Sequence, residues 1–121
     1  MIFLDTNILI EILKNNPSTL QKLQELGSNL SVSSITAMEL LYGARNKQEL
    51  AKLQSFLNMF EIIHLDHTTS KKALELVAKY AKSHSLDIPD AMIAASCLIN
   101  SAKLFTYNMK DFRFIPDLTL V

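Results

Sequence analysis

The stretch that most constrains this chain is its first seven residues, Met1-Ile2-Phe3-Leu4-Asp5-Thr6-Asn7. Four apolar residues in a row, with no polar alternation, read as a strand covered on both faces. A strand of that kind belongs to an open α/β sheet with helices above and below. The run ends in a carboxylate, and the carboxyl ends of such strands are where open α/β sheets bind ligands. Asp5, Thr6 and Asn7 also suit a plainer role, turning the chain and capping the helix that follows. What separates the two roles is where the other acids fall.

The remaining pattern alternates helix and strand. Asn7 to Lys14 reads as a short helix, and Asn15-Asn16-Pro17 stops it. Pro17 opens a second helix carrying Leu20, Leu23 and Leu26, which Gly27 ends. Leu30 to Ser33 is a strand candidate, followed by a helix through Ala44 and another over roughly Gln48 to Met59 with period near 3.6. Glu61 to Leu65 reads as a third strand and an edge one. Asp66 to Thr69 offers caps for a long helix to about Ser83. Asp87-Ile88-Pro89-Asp90 opens a helix over Ala91 to Asn100 that is apolar nearly all round. Lys103 to Thr106 is the fourth strand, and Leu118 to Val121 a last, edge strand. This order predicts one α/β domain over residues 1–121, an α/β/α sandwich with a mostly parallel sheet of four to five strands.

Twelve Lys and Arg balance twelve Asp and Glu, so bulk charge will not hold nucleic acid to this protein. An enzyme acting on nucleic acid through an acidic, metal-loaded pocket remains open. The single cysteine, Cys97, excludes an intrachain disulfide and suits a reducing, cytoplasmic setting. Asp5 and Glu11 interrupt the apolar N-terminus and no basic segment precedes it, so neither a signal peptide nor a membrane span is expected.

Four acids fall just past strands or at helix starts. Glu39 follows the second strand. Thr36-Ala37-Met38-Glu39 matches a capping box, but spacing from Ile35 and Tyr42 puts Glu39 on or beside the buried stripe of its helix. Asp90 heads the apolar helix in line with Ile93, Ala94 and Cys97, while Asp87 is free to cap it. Asp111 lies in Asn108-Met109-Lys110-Asp111-Phe112, which the fourth strand delivers to the edge reached by Asp5. Thr106 and Asn108 are placed to hydrogen-bond and orient carboxylates. Ionised acids gathered in one pocket repel each other and need protons or a cation to persist. Oxygen ligands without Cys or His pairs point to Mg²⁺ or Mn²⁺.

Taken in order, Ile2-Phe3-Leu4-Asp5-Thr6-Asn7, Thr36-Ala37-Met38-Glu39-Leu40, Pro89-Asp90-Ala91-Met92-Ile93-Ala94-Ala95 and Leu104 to Phe112 resemble PIN-domain ribonucleases, and within them the VapC-type toxins of toxin–antitoxin pairs. The likeness spans the whole chain. It implies a divalent-metal-dependent endoribonuclease that hydrolyses phosphodiesters with metal-activated water and blocks translation by cutting RNA. On it, Asp5, Glu39, Asp90 and Asp111 form the acidic, catalytic and metal-binding quartet, with Thr6, Asn7, Thr106 and Asn108 as polar support. It further implies a cognate antitoxin that blocks the pocket with a basic tail, a homodimer, and contact with DNA only through the antitoxin. Two positions depart from the pattern. Ser101 and Asp117 stand where many relatives carry Gly, which bears on turn geometry rather than on chemistry.

Other readings are weaker. A catalytically inactive PIN-fold binding module would not need the intact quartet. A phosphatase of the doubly wound type wants a second acid at position 7, where Asn7 stands, and a phospho-receiver wants paired acids at the first strand. His64 and His67 lack a third ligand and read as surface or capping groups. Cys97 reads as inert core. Arg45, Lys110 and Arg113 are the cations nearest the predicted edge and suit RNA phosphates.

Overall fold

The apolar N-terminal run forms β1 (Ile2–Leu4), the second strand from one edge of a four-stranded sheet. The computed structural model describes residues 1–121 in the order β1, α1 (Thr6–Leu13), α2 (Pro17–Leu26), β2 (Leu30–Ser33), α3 (Ser34–Tyr42), α4 (Lys47–Leu57), β3 (Glu61–Ile63), α5 (His67–His84), α6 (Ile88–Ile99), β4 (Lys103–Phe105) and a 3₁₀ turn at Met109–Asp111. All pairings are parallel and the strand order is β3-β2-β1-β4. Ile2 lies opposite Leu30 of β2 and Lys103 of β4.

The lack of alternation in β1 has a simple cause. Phe3 and Leu104 pack into one core with α5, α6 and the C-terminal residues Phe112 and Ile115. Leu4 and Phe105 pack into the other with α1, α3 and α4. Side chains of a strand point alternately up and down, so a sheet covered on both faces needs apolar residues at every position. Helix α6 shows the same logic at helical period, with Ala91, Ile93, Ala94, Ala95, Ser96 and Cys97 all buried.

Local signals set most element ends. Asn16 caps α2, Pro17 begins it and Gly27 ends it at φ 91°. Asp66 caps α5 by accepting from the Thr69 N–H at 2.8 Å, and Asp87 caps α6 by accepting from the Asp90 N–H at 2.9 Å. The capping box that Thr36 and Glu39 of α3 match by spacing does not form. Ser33 caps that helix instead, taking the Ile35 N–H, so Thr36 and Glu39 lie well inside it.

The expected last strand is reduced to one parallel bridge, Leu104 with Leu120. Asp117 turns the chain with φ 67°, so Leu118 to Val121 reaches the outer edge of β4 with only two backbone bonds, Leu104 N–H to Thr119 and Val121 N–H to Leu104. Ser101 also adopts a left-handed conformation, φ 51°. Both positions where glycine was expected are thus the ones where glycine would relieve the backbone. No helix is long and apolar enough to cross a membrane.

Candidate functional site

The chain order runs from β1 outward through β2 to β3, then crosses to β4 on the other side of β1. The order therefore reverses between β1 and β4, and crevices at such reversals are where open α/β sheets hold ligands. Asp5 leaves the end of β1 there, and Thr106 leaves the end of β4.

Asp5 is almost fully buried, at 5% exposure. It fills the plain role as well, as the N-cap of α1, with Oδ1 accepting from the Thr6 N–H at 2.8 Å. Its other oxygen, Oδ2, accepts from the Thr106 hydroxyl at 2.8 Å and from the Asn7 amide at 3.3 Å. Burial pushes the Asp5 carboxyl above its ordinary pKa, the three hydrogen bonds pull it back, and Asp111 adds to the push. The Asn7 side chain is held in turn by the Tyr107 N–H, which donates to its Oδ1 at 3.1 Å. Thr106, Asn7 and Asp5 therefore form one connected network at the β1–β4 seam.

Helix spacing misplaces Glu39. It is exposed, not part of the buried stripe, which Ala37 and Leu40 occupy. The Thr6 hydroxyl nevertheless donates to Glu39 Oε1 at 2.7 Å, tying α3 to the head of α1. Asn108 also differs from expectation. Its backbone N–H donates to the Thr106 hydroxyl at 3.0 Å, and its side chain caps nothing. It supports Asp5 only through Thr106.

Asp90 sits at the third position of α6, partly buried. Burial, then the nearby charges of Asp87, Asp5, Asp111 and Glu39, push its carboxyl up to about 7. The acids of Asp5, Glu39 and Asp111 thus all act on Asp90 across the same edge. No three of these acids are drawn together into a closed cage around a single ion position. Mg²⁺ needs only one or two carboxylates beside water and phosphate oxygens. The donor set, all oxygen and all acidic, fits Mg²⁺ or Mn²⁺ and does not fit zinc.

The other singled-out groups fall elsewhere. His64 and His67 are exposed, and His67 begins α5 behind the Asp66 cap. Cys97 is fully buried, and burial pushes its thiol up to about 12, so it is inert. Arg45 is occupied by Glu49, with Nη2 to Oε2 at 2.8 Å. Lys110 and Arg113 are exposed and carry no ion pair. Sequence reasoning passed over Tyr107, whose hydroxyl is hydrogen-bonded to Thr19 of α2. Its one sequence signal is an aromatic ring placed directly after Thr106.

A doubly covered parallel sheet with an oxygen-rich acidic seam defines an acidic α/β site, and comparison with known proteins says of which family. The family model described as PIN domain matches residues 2–117. Ribonuclease VapC19 of Mycobacterium tuberculosis is 31% identical over 122 residues, covering 98% of this chain and 97% of that protein. The tRNA(fMet)-specific endonuclease VapC of Salmonella typhimurium is 30% identical, covering 97% and 93%. Among solved structures, DNA-bound VapBC from Salmonella typhimurium superposes with a TM-score of 0.85 at 28% identity, covering 99% of this chain and 96% of that one. VapBC2 from Rickettsia felis, bound to a promoter DNA fragment, gives 0.83 at 34% identity, covering 100% and 98%. The chain belongs to the PIN-domain family, in its VapC-type branch.

Proposed function

We propose that this protein is a divalent-metal-dependent endoribonuclease and the toxin of a toxin–antitoxin pair, blocking translation by cutting RNA. The observation that carries the reading is the bonded seam, in which Thr106 and Asn7 hold Asp5 and Thr6 holds Glu39. The Asp90 carboxyl faces the same acids, and burial together with Asp87, Asp5, Asp111 and Glu39 pushes it up to about 7. A site that penalises its own ionised state gains most from a bound cation. The names of the relatives, ribonuclease and endonuclease, support the same activity.

Asp5, Asp90 and Asp111 would share one or two Mg²⁺ or Mn²⁺ ions, with water and substrate phosphate completing each shell, and Glu39 would bind metal or orient water. When bound, such an ion lowers the pKa of water and offsets the charge that develops on phosphoryl oxygens. The protein's own part is positional. The Thr106 hydroxyl and Asn7 amide fix the direction of Asp5, and Thr6 fixes Glu39 while leaving it open to solvent. Lys110 and Arg113 are free to contact phosphates flanking the cut. Water as nucleophile yields 5′-phosphate and 3′-hydroxyl ends.

The partner is a cognate antitoxin with a basic segment that neutralises the acidic seam, as the VapBC neighbours suggest. DNA would be reached only through that antitoxin. A homodimer suits the groove between α5 and α6, where Leu74 and Ile88 stand exposed beside Val77 and Met92. A cytoplasmic location suits the lone buried Cys97.

The test is purified protein on total RNA with Mg²⁺, Mn²⁺ or chelator, beside Asp5→Asn and Asp90→Asn. Cleavage with either ion, lost in chelator and in both variants, is expected. Cleavage that survives in Asp90→Asn sinks the assignment. No cleavage of any RNA, with tight partner binding, favours an inactive binding module.

A further inference from the structure

Tyr107 is the one aromatic side chain on the segment that joins β4 to the acidic seam, and it is held at both ends. Its backbone N–H donates to Asn7 Oδ1 at 3.1 Å, one residue from Thr106, whose hydroxyl holds Asp5. Its ring meets Phe105 edge-on, with centroids 5.5 Å apart and planes at 77°. Its hydroxyl is hydrogen-bonded to Thr19, a residue with no solvent exposure at all. Yet Tyr107 itself is 48% exposed.

A side chain with this much fixed geometry normally disappears into the core. Here the fixing groups hold a residue that is still about half exposed. Alternation along β4 explains the placement. Leu104 enters one core and Phe105 the other, so Thr106 turns towards Asp5 while Tyr107 follows Phe105 towards α2. Lys110 and Arg113, exposed and unpaired, lie three and six residues further on. A pre-oriented ring loses little rotamer freedom when something stacks on it. Rings combined with unpaired cations are how proteins hold single-stranded nucleic acid, with bases on the rings and phosphates on the cations.

From this geometry we infer that Tyr107 is a substrate-binding residue, stacking the nucleobase adjacent to the phosphate that is cut. The inference rests on the ribonuclease reading and deepens it by naming the side chain that takes the base beside the scissile bond. Because every base has a π face, the contact selects for an unstacked base rather than for a particular letter.

The test uses an RNA oligonucleotide spanning a cut site mapped on total RNA. It is made intact, and again with an abasic nucleotide on the 5′ or on the 3′ side of the cleaved bond. Wild-type protein should cut one abasic version with kcat/KM about 10-fold lower, mainly through KM, the scale of one lost base stack. Tyr107→Ala should fall about as far on the intact RNA and show no further abasic penalty. Tyr107→Phe and Tyr107→Trp, which keep a ring, should retain the preference. Equal cutting of intact and abasic RNA by wild-type protein overturns the inference, as does a full abasic penalty persisting in Tyr107→Ala. If Tyr107→Phe loses as much as Tyr107→Ala, the hydroxyl tie to Thr19 is what matters and the ring is a strut. Should Tyr107→Ala fail to fold by circular dichroism, Tyr107→Leu, which keeps apolar bulk without a π face, takes its place, and a full abasic penalty persisting there overturns the inference. Wild-type protein that cuts no RNA defeats the ribonuclease reading itself. Wild-type protein that cuts without abasic discrimination defeats only the role of Tyr107.

Discussion

Replacing Asp90 by Asn should stabilise the metal-free protein at neutral pH while abolishing its activity. The Asp90 carboxyl titrates near 7 in the folded chain and near 3.8 when unconstrained. Between those values the folded state keeps a proton that the unfolded state has released. Stability therefore falls as pH rises through that window and levels off above about 7. At about 1.4 kcal/mol per pH unit, the interval sets a ceiling of about 4 kcal/mol. Asp90 is only partly buried, so solvent screening reduces this to about 2 kcal/mol. Losing a negative charge in the first turn of α6 returns about 0.5 kcal/mol in the other direction. The expected gain for Asp90→Asn is thus roughly 1–2 kcal/mol above pH 7 and close to zero near pH 4. Thermal melts in chelator across that range should show wild type and variant diverging by roughly 3–10 °C as pH rises. Adding Mg²⁺ should then raise the wild type more than the variant, because a cation reverses the penalty on the ionised form. Parallel melting curves at every pH would show that Asp90 does not feel Asp87, Asp5, Asp111 and Glu39 as described.

Further expectations are simpler. Thr106→Val removes the hydroxyl that orients Asp5 and should lower kcat about 10-fold or more; it should also cost about 1–3 kcal/mol in urea denaturation, because buried Asp5 and the Asn108 N–H lose a partner. Thr36 is fully buried and its hydroxyl has no hydrogen-bond partner; Thr36→Val should stabilise by about 1 kcal/mol in urea denaturation. Ser101→Gly relieves a left-handed residue and should raise stability by about 1 kcal/mol, with a smaller gain for Asp117→Gly because Asp tolerates that conformation better. Phe112, buried to 1% and following Asp111, should cost about 3–5 kcal/mol as Phe112→Ala, and activity should be lost along with fold cooperativity.

Much of the local structure was legible in the letters. Pro17 and Gly27 marked a helix start and stop, and Asp87 its cap on α6, because those signals act over a few residues. The C-terminal Leu118 to Val121 had the alternation of a strand, yet the left-handed turn at Asp117 lets it form only a single bridge. Glu39 shows a different limit. Its helical spacing pointed inward, but α3 packs Ala37 and Leu40 against the sheet side and turns Glu39 to solvent. Only the contact with Thr6, 33 residues away, brings it to the seam.

The sequence by itself determined that this chain would be a doubly covered parallel α/β sheet with acids at its strand ends, because hydrophobic period and capping chemistry are local. The letters also placed Thr106 to orient a carboxylate; tertiary structure decided which one, and which other groups meet. Thr106 reaches Asp5 across 101 residues, and Tyr107 reaches Thr19 across 88. Those contacts exist because β4 crosses the sheet to lie beside β1, a choice made by the packing of α5 and α6 and recorded in no short stretch of the chain.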